Sequence, residues 1–366
     1  MYIENLSLVN FKNYHDLKVD FHPKLNCFVG DNGVGKTNLL DAIYYLCMCK
    51  SYFDITDMYS ISNGEDFMML QAKFNRDGNG EELSCGLKRN KRKQFRRNTK
   101  EYGKLSDHIG IFPVVMITPS DIQLITEGSE VRRKYMNSVI SQYDKVYLEN
   151  TMNYKRVLSQ RNKLLKVYQE QRDSEILDIF DRQLVELGSA IYNKRTEFIG
   201  EFIPVFSEYY QFISGNRENV DLIYQSQVKD ADYAGKMKEL RGRDISLQYT
   251  TFGIHKDDLL LQLEGDPIRR TGSQGQQKTY LVSLKFAQFV FLHKLKGIPP
   301  LLLLDDVFDK FDVSRVKQIL KLVSDNLFGQ IFITHTNLDR MKGILEELNI
   351  AHRVFLIADK NATIIE

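Results

Sequence analysis

The 366-residue sequence predicts an α/β fold, with a mixed or parallel central sheet, an antiparallel β lobe and an inserted helical lobe. Three observations carry that prediction. A glycine-rich turn separates an apolar strand from an apolar-faced helix within residues 25–46. Four leucines at Leu301–Leu304 run into two aspartates. From about Val131 to Phe212 glycine nearly vanishes and apolar residues recur at helical spacing.

Residues 2–10 and 16–21 read as two strands, because Leu17, Val19 and Phe21 alternate with polar residues. The turn between them is Phe11-Lys12-Asn13-Tyr14, where Lys12 is either a nucleotide contact or a plain exposed turn lysine. Leu25–Val29 follows as a short buried strand, then Gly30-Asp31-Asn32-Gly33-Val34-Gly35-Lys36-Thr37-Asn38. Gly30, Gly35, Lys36 and Thr37 occupy the fixed positions of the P-loop pattern. Leu39, Leu40, Ala42, Ile43 and Leu46 form the apolar face of the next helix. A strand, a glycine turn and a helix start aim backbone N–H groups at a phosphate chain. Lys36 supplies a point charge for the β- and γ-phosphates, and Thr37 a hydroxyl for magnesium. A glycine-rich helix cap would fit the same pattern, but the flanking strand and helix argue for nucleotide binding.

Strands at Phe67–Phe74 and Leu83–Leu87 flank a turn at Asp77–Gly80. The densest positive run comes next, Lys88 to Arg97 with Lys100 and Lys104 beyond. Such runs are commonly solvated faces. Here Phe95 interrupts it between strand candidates, which suits a basic β-hairpin tracking a phosphate backbone through Lys91, Arg92, Arg96 and Arg97. Val114–Ile117 is a further buried strand, ended by Thr118-Pro119-Ser120-Asp121. Gln123, just past it, is either a metal- or water-sensing glutamine or a surface residue.

In the helical stretch Leu158, Leu164, Leu165 and Tyr168 precede Ile176, Ile179, Phe180, Leu184, Leu187 and Ile191, with a turn expected at Arg172-Asp173-Ser174-Glu175. The expected division is residues 1–126 and 246–366 for the nucleotide-binding lobe, and 127–245 for the insertion. Ser273 and Gly275, in Gly272-Ser273-Gln274-Gly275-Gln276-Gln277-Lys278, stand where a helix begins. That is a second anion site, or simply an N-cap. Leu301–Leu304 delivers Asp305 to hold magnesium and Asp306 to polarise a water at the carboxyl edge of a sheet. Ile331–Thr334 delivers His335 in the same way, to touch the γ-phosphate or orient water; a structural histidine is the plainer alternative.

Hydrophobic content of 43% and charged content of 27% describe an ordinary globular chain, and a net charge of +2 requires any nucleic-acid binding to come from a local patch. Cys27, Cys47, Cys49 and Cys85 lack C-x-x-C spacing, which argues against zinc and for a reducing, cytoplasmic setting. No secretory leader or membrane-length apolar run, roughly 18 to 20 residues, is evident.

The order of P-loop, helical insertion, Ser-Gln-Gly-Gln, Leu-Asp-Asp and strand-His resembles the ABC-type ATPases of the SMC family, most closely its bacterial recombination mediators. The further marks are Phe11-Lys12-Asn13-Tyr14, Thr118-Pro119-Ser120-Asp121 leading to Gly128 and Arg132-Arg133, and His255-Lys256-Asp257-Asp258. The resemblance covers nearly the whole chain and implies an ABC-type ATPase head. It makes Ser273, Gly275 and Gln276 the signature motif, Asp309 to Asp312 the D-loop and His335 the switch residue. Phe308-Asp309-Lys310-Phe311-Asp312 departs from the Ser-Glu-Leu-Asp type expected there, although Asp312 is kept. In that architecture the signature faces away from its own P-loop. The resemblance therefore implies a head-to-tail homodimer around two ATP molecules, with Mg2+ and slow, DNA-stimulated hydrolysis. It further implies binding to double-stranded DNA and to gapped or single-stranded junctions, and a RecR-like mediator partner acting with RecO. The role implied is recombinational repair at gaps and stalled forks, including recombinase loading and SOS induction.

Other classes compete. A small-molecule P-loop kinase has no use for the Ser273 signature. An ABC transporter subunit has neither so long an insertion nor a role for a basic hairpin, and a DNA-defence ATPase would share the same head. The sustained heptads of a long-armed SMC protein are missing. A scaffold that binds ATP without hydrolysing it is separated from these by single-turnover assay.

Overall fold

The computed structural model describes residues 1–53, 56–216, 218–229, 232–308, 313–324, 328–348 and 350–366. In chain order its strands begin with β1 Tyr2–Phe11, β2 Tyr14–Asp20, β3 Leu25–Val29, β4 Phe67–Arg76 and β5 Asn79–Lys88. They continue with β6 Gln94–Arg97, β7 Lys100–Glu101, β8 Val114–Ile117, β9 Val220–Gln225 and β10 Asp258–Leu263. The last are β11 Asp266–Pro267, β12 Leu301–Leu304, β13 Ile331–His335, β14 His352–Ala358 and β15 Asn361–Ile364. Two compact units result, one of residues 1–121, 212–216 and 279–366, the other of residues 122–211 and 217–278.

Burial pattern separates the two large sheets of the first unit. One is antiparallel, in the order β2-β1-β4-β5-β6-β7, and its strands alternate buried with exposed residues. Such alternation belongs to a sheet with one solvated face. The other runs β15-β14-β3-β13-β12-β8 and is parallel except for the β14–β15 pair. Every residue of β3, β8, β12 and β13 is buried, as a parallel sheet covered on both faces requires. One continuous core joins inward side chains of both sheets to the helix Lys36–Met48. Phe21 packs edge-on against Phe332, with centroids 5.0 Å apart, and Phe28 lies 5.4 Å from Phe355. Each such aromatic contributes roughly 1.5–3 kcal/mol by leaving water.

The β6–β7 hairpin turns through Asn98 and Thr99, whose φ values of 48° and 70° are both left-handed. A two-residue turn of that kind matches the twist of the strands it joins.

The second unit contains the helices Ser129–Ile140 and Lys145–Leu165, most of Glu170–Ser214, and a small sheet in the order β11-β10-β9. Its interior is held by buried arginines. Arg161 pairs with Asp181 at 2.6 Å and Asp244 at 2.7 Å, and Arg195 pairs with Asp257 at 2.7 Å. The helix break falls at residues 166–169 instead of the expected 172–175. Arg172 to Glu175 lacks apolar anchors but contains no Gly or Pro, so nothing in it stops a helix. The unit also runs on to Lys278, past the expected end at residue 245, and so takes in β10, β11 and the Ser273 turn.

Candidate functional site

In the first unit β3 carries the P-loop to the helix Lys36–Met48, whose N-cap is Gly35. That first turn has no acidic residue and no side-chain cap, and its Asn38 amide donates to the Gly35 carbonyl at 2.9 Å, so the Lys36 and Thr37 amides are the ones to meet an anion. The glycines are required by space. A Cβ on Gly30 would lie 2.3 Å from the Ile357 carbonyl oxygen. One on Gly35, at φ 116°, would lie 2.4 Å from Asn13 Nδ2 and 2.7 Å from Tyr14 Oη. Lys36 is buried and donates to the carbonyls of Gly30 at 2.7 Å and Asp31 at 2.9 Å, which folds its ammonium over the loop.

The first carboxylate past β12 meets the helix start. Thr37 Oγ1 lies 2.8 and 2.9 Å from the two carboxylate oxygens of Asp305. Thr334, at the end of β13, links the aspartate pair: it donates to Asp305 at 2.8 Å and accepts the Asp306 amide at 2.9 Å. Burial raises the Asp305 carboxyl above the usual carboxylate range, against the lowering pull of the Thr334 and Thr37 hydrogen bonds. Asp306 takes a left-handed φ of 47°, turning the chain immediately after the strand. His335 is buried, its carbonyl accepts the Gly30 amide at 3.3 Å, and its Nδ1 accepts the Asn337 amide at 2.9 Å.

Gly30 to Asn38, Asp305, Asp306 and His335 thus gather within one unit, with Asp31, Asn32 and Gly33 exposed on the loop and Val34 half-buried. Glycine cradle, helix N-terminus and folded-back lysine suit a triphosphate. A hydroxyl and an under-compensated carboxylate are hard oxygen donors of the kind magnesium takes, usually one or two from protein and the rest from phosphate and water. Among the described residues no group of three or more His, Cys, Asp or Glu forms an all-protein cage.

The remaining described candidates are engaged by other groups, are exposed or belong to the second unit. Lys12 is engaged by buried Asp41 at 2.6 Å, and its ammonium lies 5.1 Å from the Phe53 ring centroid. Gln123 is exposed and, with Ser273, Gly275 and Gln276, belongs to the second unit. There Ser273 and Gln276 form a reciprocal cap: the Ser273 amide donates to Gln276 Oε1 at 2.7 Å and the Gln276 amide to Ser273 Oγ at 3.3 Å. Gln276 Nε2 also donates to Glu218 at 2.6 Å. The expected D-loop, Asp309 to Asp312, lies outside the described residues. In the basic run Lys91, Arg92 and Arg96 are exposed, whereas Arg97 shares the inward face with Phe95 and pairs with Glu81.

Two residues of the site are not evident from the sequence. Thr334 is legible there only as the polar neighbour of His335. Asn13 donates to the Val34 carbonyl at 3.0 Å and accepts from Asn38 at 2.7 Å, so the turn after β1 braces the P-loop. Its signal is the Phe-Lys-Asn-Tyr cluster.

The chain is similar to known proteins over nearly its whole length. Residues 2–356 match the RecF/RecN/SMC N-terminal domain family. A DNA replication and repair protein RecF of Phocaeicola vulgatus is 48% identical over 365 residues, 99% of this chain and 98% of that one. Its counterpart in Flavobacterium johnsoniae is 45% identical, with 97% and 99% covered. The structure of the recombination mediator RecF with ATP, from the RecFOR pathway, superposes with a TM-score of 0.90 at 29% identity, covering 100% and 98%. An Smc head bound to a winged-helix domain of ScpA shares the fold, with a TM-score of 0.57 at 16% identity.

Proposed function

The chain belongs to the RecF branch of the RecF/RecN/SMC N-terminal domain family, and from that premise we propose that it is an ATP-dependent DNA-binding protein of recombinational repair. Two copies close head to tail around two ATP molecules and grip DNA mostly through its phosphates, without reading sequence. With RecR- and RecO-like partners the closed dimer helps load recombinase at gaps and stalled forks. ATP hydrolysis is slow, is stimulated by DNA and reopens the dimer. No helix among the described residues is long and apolar enough to cross a membrane.

The observation that carries this reading is the contact of Thr37 with Asp305, which joins P-loop and acidic strand end across 268 positions of sequence at 2.8 Å. In the mechanism, the amides of the helix start and Lys36 hold the phosphate chain. Thr37 and Asp305 would hold Mg2+, which when bound neutralises charge on the β- and γ-phosphates. Asp306, fixed by Thr334, accepts a proton from the attacking water, and His335 stands at the adjoining strand end. Ser273, Gly275 and Gln276 complete the neighbour's pocket.

The decisive experiment is sizing the protein with ATP, ADP or no nucleotide, each with and without DNA. A dimer that requires ATP and persists in the non-hydrolysing Asp306→Asn variant is expected. A monomer at saturating ATP and magnesium defeats the reading, and rapid turnover by Asp306→Asn removes that residue from its role.

A further inference from the structure

Lys93 lies in the middle of the basic run, yet its side chain is only 9% exposed. Its ammonium donates to Asp57 Oδ2 at 2.7 Å, to Tyr45 Oη at 2.9 Å and to the Cys49 carbonyl at 2.6 Å. Those three bonds use every donor a lysine has, so none is left for a DNA phosphate. The acceptors are not scattered. Tyr45 lies in the last turn of the P-loop helix Lys36–Met48 and Cys49 is its C-cap, while Asp57 is itself bonded to Tyr45 Oη at 2.6 Å. No basic residue of that helix's own last turn faces its C-terminal carbonyls. Lys93 supplies the cation that such a helix end favours.

A second link runs beside it. His108 Nε2 lies 2.8 Å from the Leu46 carbonyl, in the same last turn, and Nδ1 lies 3.1 Å from Tyr102 Oη, just past β7. The His108 ring packs on Phe95 of β6 with centroids 4.5 Å apart. The basic hairpin is therefore clamped at two points to one end of a 13-residue helix about 20 Å long, whose other end is the phosphate cradle.

We propose that Lys93 couples bound DNA to the nucleotide site: through its grip on the C-terminal end of the P-loop helix, DNA lying on the hairpin raises the rate of ATP hydrolysis above its basal level. The inference rests on the DNA-stimulated ATPase reading above. Lys91, Arg92 and Arg96 carry the DNA; Lys93 carries its effect inward.

The test is steady-state ATPase of the full chain with and without a saturating duplex, together with DNA affinity. Lys93→Met should keep DNA affinity within about threefold and basal hydrolysis within about twofold, while the DNA-stimulated to basal ratio falls towards one. Arg96→Gln should do the reverse, binding DNA more weakly but reaching the wild-type ratio once saturated. Should Lys93→Met fail to fold, Tyr45→Phe removes a single acceptor of the clamp and must lower the ratio. A Lys93→Met protein stimulated as strongly as wild type overturns the proposal, as does one whose DNA affinity falls as far as that of Arg96→Gln. Wild-type hydrolysis indifferent to DNA instead defeats the underlying reading.

Discussion

At the scale of single residues, burial sets the chemistry. His108 is fully buried between Phe95, Tyr102 and Phe112, and burial lowers its pKa from 6.5 to about 4 against the raising effect of the Leu46 carbonyl. That carbonyl can only accept, so Nε2 carries the proton and the ring is neutral at neutral pH. Between about pH 4 and 6.5 the unfolded chain binds a proton at this histidine that the folded chain does not. Stability therefore rises with pH through that window and is lost as pH falls through it, by about 3 kcal/mol in all. Half-buried His255, lowered to about 4 by its own burial, acts in the same direction. Denaturant midpoints at pH 7.5, 5.5 and 4.5 check this. The wild-type midpoint should drop with acid, and His108→Gln should drop less while starting lower. Parallel curves for the two proteins would show that His108 does not carry the effect.

At the scale of elements, the hairpin β6–β7 shows why a charge run has to be read residue by residue. Strand alternation turns Arg96 outward and puts Arg97 on the face of buried Phe95, where Glu81 takes it. Lys91→Gln, Arg92→Gln and Arg96→Gln together should weaken DNA binding and flatten its salt dependence, by about 0.9 in logarithmic slope for each phosphate no longer neutralised. Arg97→Gln should instead lower thermal stability and leave the slope nearly alone. An unchanged slope in the triple variant would move the DNA site away from the hairpin. The run and Phe95 are plain in the sequence, but the partners Asp57 and Glu81 come from other elements and cannot be read from spacing. The same limit governs the rest of the chain. β3, β8, β12 and β13 are legible almost to the residue because strands buried on both faces are short, mostly apolar runs. The small sheet β9–β11 is not, since Asp258–Leu263 follows a run of charged residues and β11 has only two. Thr37 and Asp305 come together through motif chemistry; Thr334, whose hydroxyl links both aspartates, follows no motif.

At the scale of the whole molecule, the proposed dimer requires the Ser273 turn of one copy to complete the pocket of another. Ser273 is exposed, and its bonds with Gln276 satisfy only the first turn of the helix Gln274–Lys296. Ser273→Arg therefore forfeits a cap worth about 1 kcal/mol in a 23-residue helix, which leaves the fold intact, and sets bulk on the helix start proposed above to meet a neighbour's phosphate. The variant should bind ATP as a monomer and fail to dimerise. Lys36→Met should fail to dimerise for the opposite reason, because its own P-loop no longer holds the nucleotide. If each pocket joins the P-loop of one copy to the signature of another, mixing the two variants assembles one pocket from the sound P-loop of Ser273→Arg and the sound signature of Lys36→Met. Sedimentation of the mixture with ATP should then show an association that neither variant shows alone. A pocket built within a single chain cannot be repaired in this way, so a mixture that stays monomeric while the wild type dimerises rules out the shared pocket.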